Sequence, residues 1–241
     1  MKIRVRHVLG GLTAVLVAAV AAAAITLSHT EECAPASQAQ DREDGFTAVT
    51  YRCYGSPDIL ELVTLEKPVP ADNEILVRVK AAAVNPLDWH YMRGEPYLMR
   101  LGSGIGVPEN SRLGADYAGV VETVGAAVTR FAPGDRVFGR GDGAFAEYLL
   151  ATEEQAIVPI PEGVSFDHAA ALPIAAITAL QALRDKGRVK PGDKVLINGA
   201  SGGVGTFAVQ IAKSMGAEVH GVCSTRNVEL VESLGADRVF D

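Results

Sequence analysis

The sequence predicts an α/β protein: short β-strands leading into a parallel strand–helix–strand unit, with an apolar helix in front. Three observations carry that expectation. The apolar stretch Lys194-Val195-Leu196-Ile197-Asn198 runs into Gly199-Ala200-Ser201-Gly202-Gly203-Val204-Gly205, then into the helical pattern Thr206 to Lys213. Between Phe46 and Val158, apolar and polar residues alternate in short bursts punctuated by Gly and Pro, the period of half-exposed strands. An uncharged apolar run, Val8 to Leu27, precedes both.

Composition sets the outer bounds. The chain has 241 residues, 48% hydrophobic and 21% charged, enough for one large domain or two small ones. Its formal net charge of −7 comes without a long basic run past the N-terminus, which argues against nucleic-acid binding. Cys33, Cys53 and Cys223 are widely separated. They form neither a zinc pair nor a disulfide framework, so isolated thiols are expected.

Lys2, Arg4 and Arg6 before the Val8–Leu27 run read as a signal anchor or a signal peptide. The run is long enough to cross a hydrocarbon core as a helix. Ala34-Pro35-Ala36 has the form of a cleavage site, but it lies far past the run, behind Glu31 and Glu32. An uncleaved membrane anchor is therefore the first expectation. Export after cleavage at Ala36, or a cytoplasmic protein from a later start codon, are the alternatives. With the basic end inside, an anchor would place the globular part across the membrane, away from the cell's reduced cofactors. Residues 28–45 are polar and read as a linker.

Strands follow in order. Phe46–Tyr54 and Ile59–Leu65 flank the turn Gly55-Ser56-Pro57-Asp58, and Ile75-Leu76-Val77-Arg78-Val79-Lys80 alternates cleanly. More are expected at Ala115–Val124, Asp135–Phe138, Ala144–Leu150 and Ala156–Val158, together an all-β, barrel-like domain. Over 165–186 the period turns helical, through Ala169, Leu172, Ile177, Leu180 and Leu183.

The glycine turn then sits between two strands, the second being Glu218 to Cys223. Ala200, Gly202 and Gly205 occupy the three glycine positions of the dinucleotide fingerprint, with Ala substituting at the first; a Cβ at the closest approach would block a pyrophosphate at a helix N-terminus. Asn198, Ser201, Gly203 and Val204 complete this Rossmann-type cradle. About twenty residues on, NAD-selective sites carry an acid for the ribose 2′-hydroxyl. Here that window holds Ser224, Thr225, Arg226 and Asn227, and no acid. Hydroxyls and a guanidinium suit a 2′-phosphate, so the expected cofactor is NADPH.

Asn85-Pro86-Leu87-Asp88, Gly114-Ala115-Asp116-Tyr117-Ala118-Gly119-Val120-Val121, Pro133-Gly134-Asp135-Arg136-Val137 and Gly143-Ala144-Phe145-Ala146-Glu147-Tyr148 recur in a known order. With Leu172-Pro173, Ile177-Thr178-Ala179 and the glycine turn, residues 46–241 resemble the medium-chain dehydrogenase/reductase superfamily, in its zinc-independent quinone oxidoreductase branch. The resemblance implies a GroES-like β-barrel catalytic domain over 46–165 and the N-terminal part of a Rossmann domain over 166–241. It implies hydride transfer to a quinone or an α,β-unsaturated carbonyl.

Zinc members of that superfamily have a Cys ligand and a Gly-His-Glu segment where this chain has Asn85 and Gly114-Ala115-Asp116. The four-cysteine lobe is missing too, and a zinc site needs three or four converging ligands, so no metal is expected. A short-chain dehydrogenase is excluded because no Tyr-x-x-x-Lys occurs. By resemblance Asn85 and Asp88 line the cleft, with His90 or Tyr91 near the family's tyrosine, and Thr178 lies near the nicotinamide. Asn85 and Asp88 are equally good helix caps. Thr178 could simply bond back to its own helix.

Gly235 to Asp241 reads as the loop into a third Rossmann strand, where a complete family member would continue. A fragment of a longer reductase is one expectation. A truncated, membrane-anchored binding protein without turnover is the other. The small-molecule substrate is not legible, and a homodimer is expected only of a full-length chain.

Overall fold

A computed structural model describes residues 16–33 and 45–241, which divide into two compact units, each drawn from several segments. The first contains the described residues up to Val69, Val84–Ala115 and Asp142–Leu149. The second contains Pro70–Ala83, Asp116–Gly141 and Leu150–Asp241.

The first unit begins with a helix, α1, over 16–28. Among the described residues no helix is long and apolar enough to cross a membrane. The spanning helix expected over 8–27 is therefore not found there, and its residues 8–15 lie outside the described ones. β1 (Gly45–Thr50) pairs antiparallel with β2 (Glu61–Glu66), from Gly45 opposite Glu66 to Thr50 opposite Glu61. Burial alternates along β1, with Phe46, Ala48 and Thr50 inside, as a period of two requires. The strand expected to reach Tyr54 stops at Thr50, and Tyr51 and Tyr54 instead turn into a core with Met92 and Leu113. α2 (Pro86–Arg93) starts on Pro86, whose missing N–H costs nothing in a first turn. α3 (Arg100–Ser103) is one short turn.

Isolated thiols were expected at all three cysteines, and two of them depart from that. Cys33 and Cys53 form a disulfide with Cα atoms 5.0 Å apart, a normal bridging distance. A separation of 20 residues carries no motif. Cys223 is free and buried. The segment read as a linker is pinned at its start, by this bond and by a β-bridge between Thr30 and Gly106; residues 34–44 lie outside the described ones.

The second unit has two sheets. β3 (Glu74–Ala83), β4 (Asp116–Val124), β5 (Arg136–Arg140), β6 (Tyr148–Thr152, of which this unit takes Leu150 onward) and β7 (Ile157–Pro159) lie in the order β6-β3-β4-β5-β7. The β3–β4, β4–β5 and β5–β7 pairs are antiparallel. Their inward residues, Ile75, Val77, Tyr117, Val121 and Val137, are fully buried. The helical stretch 165–186 is three pieces: α4 (Phe166–Ala170), α5 (Pro173–Leu180) and a wider π turn, Gln181–Lys186. Pro173 explains the first break, because its ring nitrogen cannot continue the hydrogen-bond ladder.

The second sheet is parallel, in the order β10-β9-β8. β8 (Lys194–Asn198), α6 (Gly203–Ser214), β9 (Glu218–Val222), α7 (Val228–Ser233) and β10 (Arg238–Phe240) alternate strand and helix. Val209 and Ala212 of α6 and Val231 of α7 pack with Ile197 and Val219 of the strands in one core. This is the βαβ arrangement the glycine turn predicts.

Candidate functional site

The glycine turn fits the backbone cradle expected of it. Gly199 takes a left-handed φ of +73° as the chain leaves β8, and Gly202 is the extended N-cap of α6. A Cβ on Gly205 would lie 2.1 Å from the Gly199 carbonyl oxygen and 2.8 Å from the Ala200 Cα. No side chain fits there. Ala200 is buried, and its N–H donates to the Val222 carbonyl at 3.0 Å, fixing the turn against β9. Gly202, Gly203 and Val204 are exposed, so the first-turn N–H groups of a 12-residue helix face solvent, a ready anion site. Asn198, at the end of β8, is exposed as well.

The expected 2′-phosphate residues are held beside this turn. Ser224, Thr225 and Arg226 follow β9 and are exposed. Asn227, the last residue of that window and one given no role by its sequence, donates from Nδ2 to Ser201 Oγ at 3.1 Å and to Ser224 Oγ at 3.2 Å. One amide thus ties the glycine turn to the loop after β9. The acid missing from the sequence window arrives from elsewhere. Asp241, just past β10, accepts from the Thr225 N–H at 3.0 Å and from its hydroxyl. Arg226 has no ion-pair partner among the described residues.

Thr178, on α5, is exposed, and its hydroxyl donates to the Ile174 carbonyl at 2.6 Å. That is the back-bonding geometry of a helical threonine. Asp116 is fully buried on β4, and its Oδ2 accepts from the Ile174 N–H at 3.0 Å, capping the start of α5.

In the first unit, Asn85, Asp88, His90 and Tyr91 lie together at α2. Asn85 and Asp88 close a capping box, with the Asn85 N–H donating to Asp88 Oδ2 at 2.7 Å. Asp88 is 5% exposed. Burial pushes its carboxyl above the ordinary value, against backbone amides of Asn85, Gly114 and Ala115 that pull it down. The Gly114-Ala115 segment is thereby tied to the start of α2. His90 Nδ1 lies 2.6 Å from the Glu95 carbonyl. A carbonyl only accepts, so Nδ1 carries the proton and Nε2 is the nitrogen left for other partners. Tyr91 packs against the Tyr51–Tyr54–Met92–Leu113 core.

No cluster of three or more His, Cys, Asp or Glu side chains suited to a metal occurs among the described residues. A cavity of about 500 Å³ in the second unit is apolar, lined by Phe138, Val158, Leu172, Ile177, Ile211 and Met215 among others. It contains none of the expected site residues and plays no part in the cradle.

Known proteins match both parts of the chain. Residues 71–162 match the alcohol dehydrogenase GroES-like domain, and residues 203–241 match the zinc-binding dehydrogenase family. A chloroplast envelope quinone oxidoreductase homolog of Arabidopsis thaliana is 40% identical over 206 residues, 80% of this chain and 60% of that protein.

This chain belongs to the medium-chain dehydrogenase/reductase superfamily, in its quinone oxidoreductase-like branch.

Among solved structures, the quinone oxidoreductase from Coxiella burnetii superposes with a TM-score of 0.75 at 33% identity. That match covers 82% of this chain and 62% of the other. The Escherichia coli quinone oxidoreductase complexed with NADPH superposes at 0.71 with 29% identity, over 81% and 58%. The chain spans about 60% of the length of the curated relatives it matches.

Proposed function

We propose that this chain binds NADPH and serves an oxidoreductase reaction in which hydride passes to a quinone or an α,β-unsaturated carbonyl without zinc. The carrying observation is the cradle. The 2.1 Å approach of the Gly199 oxygen to a Gly205 Cβ position is what a pyrophosphate-binding turn requires. The relative crystallised with NADPH supports the choice of cofactor, as do the exposed hydroxyls and guanidinium of Ser224, Thr225 and Arg226.

The residues fit the cofactor in two places. Ser201 and the first-turn amides Gly202 to Gly205 would hold the pyrophosphate. Ser224 and Arg226 would hold the 2′-phosphate, oriented by the Asn227 bridge. When bound, the dihydronicotinamide supplies a hydride. The remaining work falls to residues that orient an acceptor and stabilise or neutralise its developing oxyanion. Asn85 and Tyr91 are the donors offered for that oxygen, and His90 Nε2 can relay a proton. Asp88 holds the start of α2. Asp116, where zinc relatives have the Glu of Gly-His-Glu, is committed to capping α5, which supports a reaction without zinc. Tethering of the enzyme to a membrane by the 8–27 run is part of the same reading, on its sequence alone.

The test is NADPH consumption by the purified chain, presented with a benzoquinone and an enone in turn. The reading expects oxidation that requires acceptor and is slower with NADH. Tight NADPH binding with no turnover on either acceptor class would contradict it.

A further inference from the structure

Arg100 is a buried cation with no carboxylate partner among the described residues. Its residue is 2% exposed, and its guanidinium lies between the rings of Tyr54 at 4.4 Å and Tyr97 at 4.9 Å. Carbonyl oxygens satisfy its donors. Nη1 donates to Leu27 at 3.1 Å and His29 at 2.6 Å, Nε to Gly94 at 2.9 Å, and Nη2 to Arg93 at 3.4 Å. These are the C-terminal ends of two helices, α1 and α2, where a cation is favoured twice over.

The contact is built on both sides. Gly94 ends α2 in a left-handed conformation, and a Cβ there would lie 2.6 Å from Arg100 Nε and 2.7 Å from the Tyr54 ring. The Tyr54 hydroxyl donates to the Gly104 carbonyl at 2.7 Å. After α1, Thr30 bridges Gly106, and the Glu31 N–H donates to the Gly106 carbonyl at 3.1 Å. Then comes the Cys33–Cys53 disulfide, one residue from Tyr54. The covalent bond therefore anchors the chain just after the segment that presents Leu27 and His29 to Arg100.

We infer that the Cys33–Cys53 disulfide is a redox latch that sets the order of α2, the helix carrying Asp88, His90 and Tyr91, with Arg100 as the positioning residue between them. Reduction breaks one Sγ–Sγ bond, adds two electrons and two protons, and leaves two thiols. A dithiol donor is oxidised to its own disulfide in the same step. Among the described residues, 27–33 then keep the Thr30–Gly106 bridge and the hydrogen bonds to Gly106 and Arg100. When they leave, Nη1 loses both acceptors in a buried setting, which a guanidinium does not tolerate. Arg100 must turn outward, releasing the Arg93 and Gly94 carbonyls at the end of α2.

The experiment is thiol counting paired with hydrogen exchange on the full chain, folded in a glutathione redox buffer and then treated with dithiothreitol. One titratable thiol per unfolded chain is expected before reduction and three after, since the sequence holds three cysteines and one is free. Amides of 86–106 should exchange at least about tenfold faster after reduction, while those of 194–222 stay unchanged. Cys33→Ser/Cys53→Ser should show the fast exchange with or without dithiothreitol. Arg100→Lys, which keeps the charge but not the fork, should blunt the response to reduction over 86–94. Three thiols in the oxidised chain would overturn the latch. So would a disulfide whose reduction leaves 86–106 unchanged, or an Arg100→Lys chain that responds as the parent does.

Discussion

Asn227 Nδ2 lies 3.1 Å from Ser201 Oγ, joining the turn before α6 to the loop after β9. The two halves of the expected dinucleotide site are thus held by one side chain that belongs to neither motif. Replacing Asn227 with Ala removes two neutral hydrogen bonds worth about 1 kcal/mol each in net terms. NADPH affinity should fall roughly three- to thirtyfold, measured by fluorescence titration, with the melting temperature lowered by about a few degrees.

Gly205→Ala tests the cradle itself. Its Cβ would lie 2.1 Å from the Gly199 oxygen, a backbone atom with nowhere to go. The turn or the start of α6 must shift, at a cost of about 2 kcal/mol or more. Thermal unfolding should show the loss, and dinucleotide binding should disappear with it. Gly203→Ala is the control: nothing lies within 4 Å of its Cβ position, so stability should change little.

Asp88 makes stability pH-dependent. Its folded-state pKa lies above the ordinary carboxylate value because of burial. Its stabilising contribution is fully present below the unfolded pKa and is lost as pH rises through the folded one. Asp88→Asn keeps an acceptor for the amides of Asn85, Gly114 and Ala115 without the buried charge. Denaturant unfolding at several pH values should therefore find this variant gaining on the parent as pH rises from about 4 towards neutrality. Asp88→Ala should lose about 1 kcal/mol or more at every pH, since the amides are then unpaired.

Asp241 competes for Thr225. Its carboxylate accepts from both the Thr225 N–H and the hydroxyl, placing a negative charge beside the proposed 2′-phosphate position. Asp241→Asn should tighten NADPH by a few-fold and leave NADH nearly unchanged, the size expected of an exposed charge in water. Parallel titrations of both cofactors check it.

The sequence made the glycine turn legible because its geometry is local. The strand, Gly199, Gly205 and the helix that follows all obey short-range sterics. Alternation likewise located β3, which from Arg78 on alternates between exposed and half-buried residues. What remained hidden depends on contacts far apart along the chain. Cys33 and Cys53 meet across 20 residues of chain with no motif to announce the pair. Asp241 reaches Thr225 only when β10 pairs with β9. Arg100 reads as an ordinary exposed arginine until two helix ends and two tyrosines close around it. For Asn85 and Asp88 the capping geometry was foreseen, but nothing in their spacing gave the amides of Gly114 and Ala115 that hold Asp88.

The most direct test of the central claim is a parallel NADPH and NADH fluorescence titration of the chain and of its Arg226→Glu variant. The account predicts tighter binding of NADPH, lost in the variant by about tenfold or more, with NADH little affected. Equal binding of both cofactors, unmoved by Arg226→Glu, would contradict the 2′-phosphate assignment. Binding of neither to a chain folded by circular dichroism would contradict the cradle.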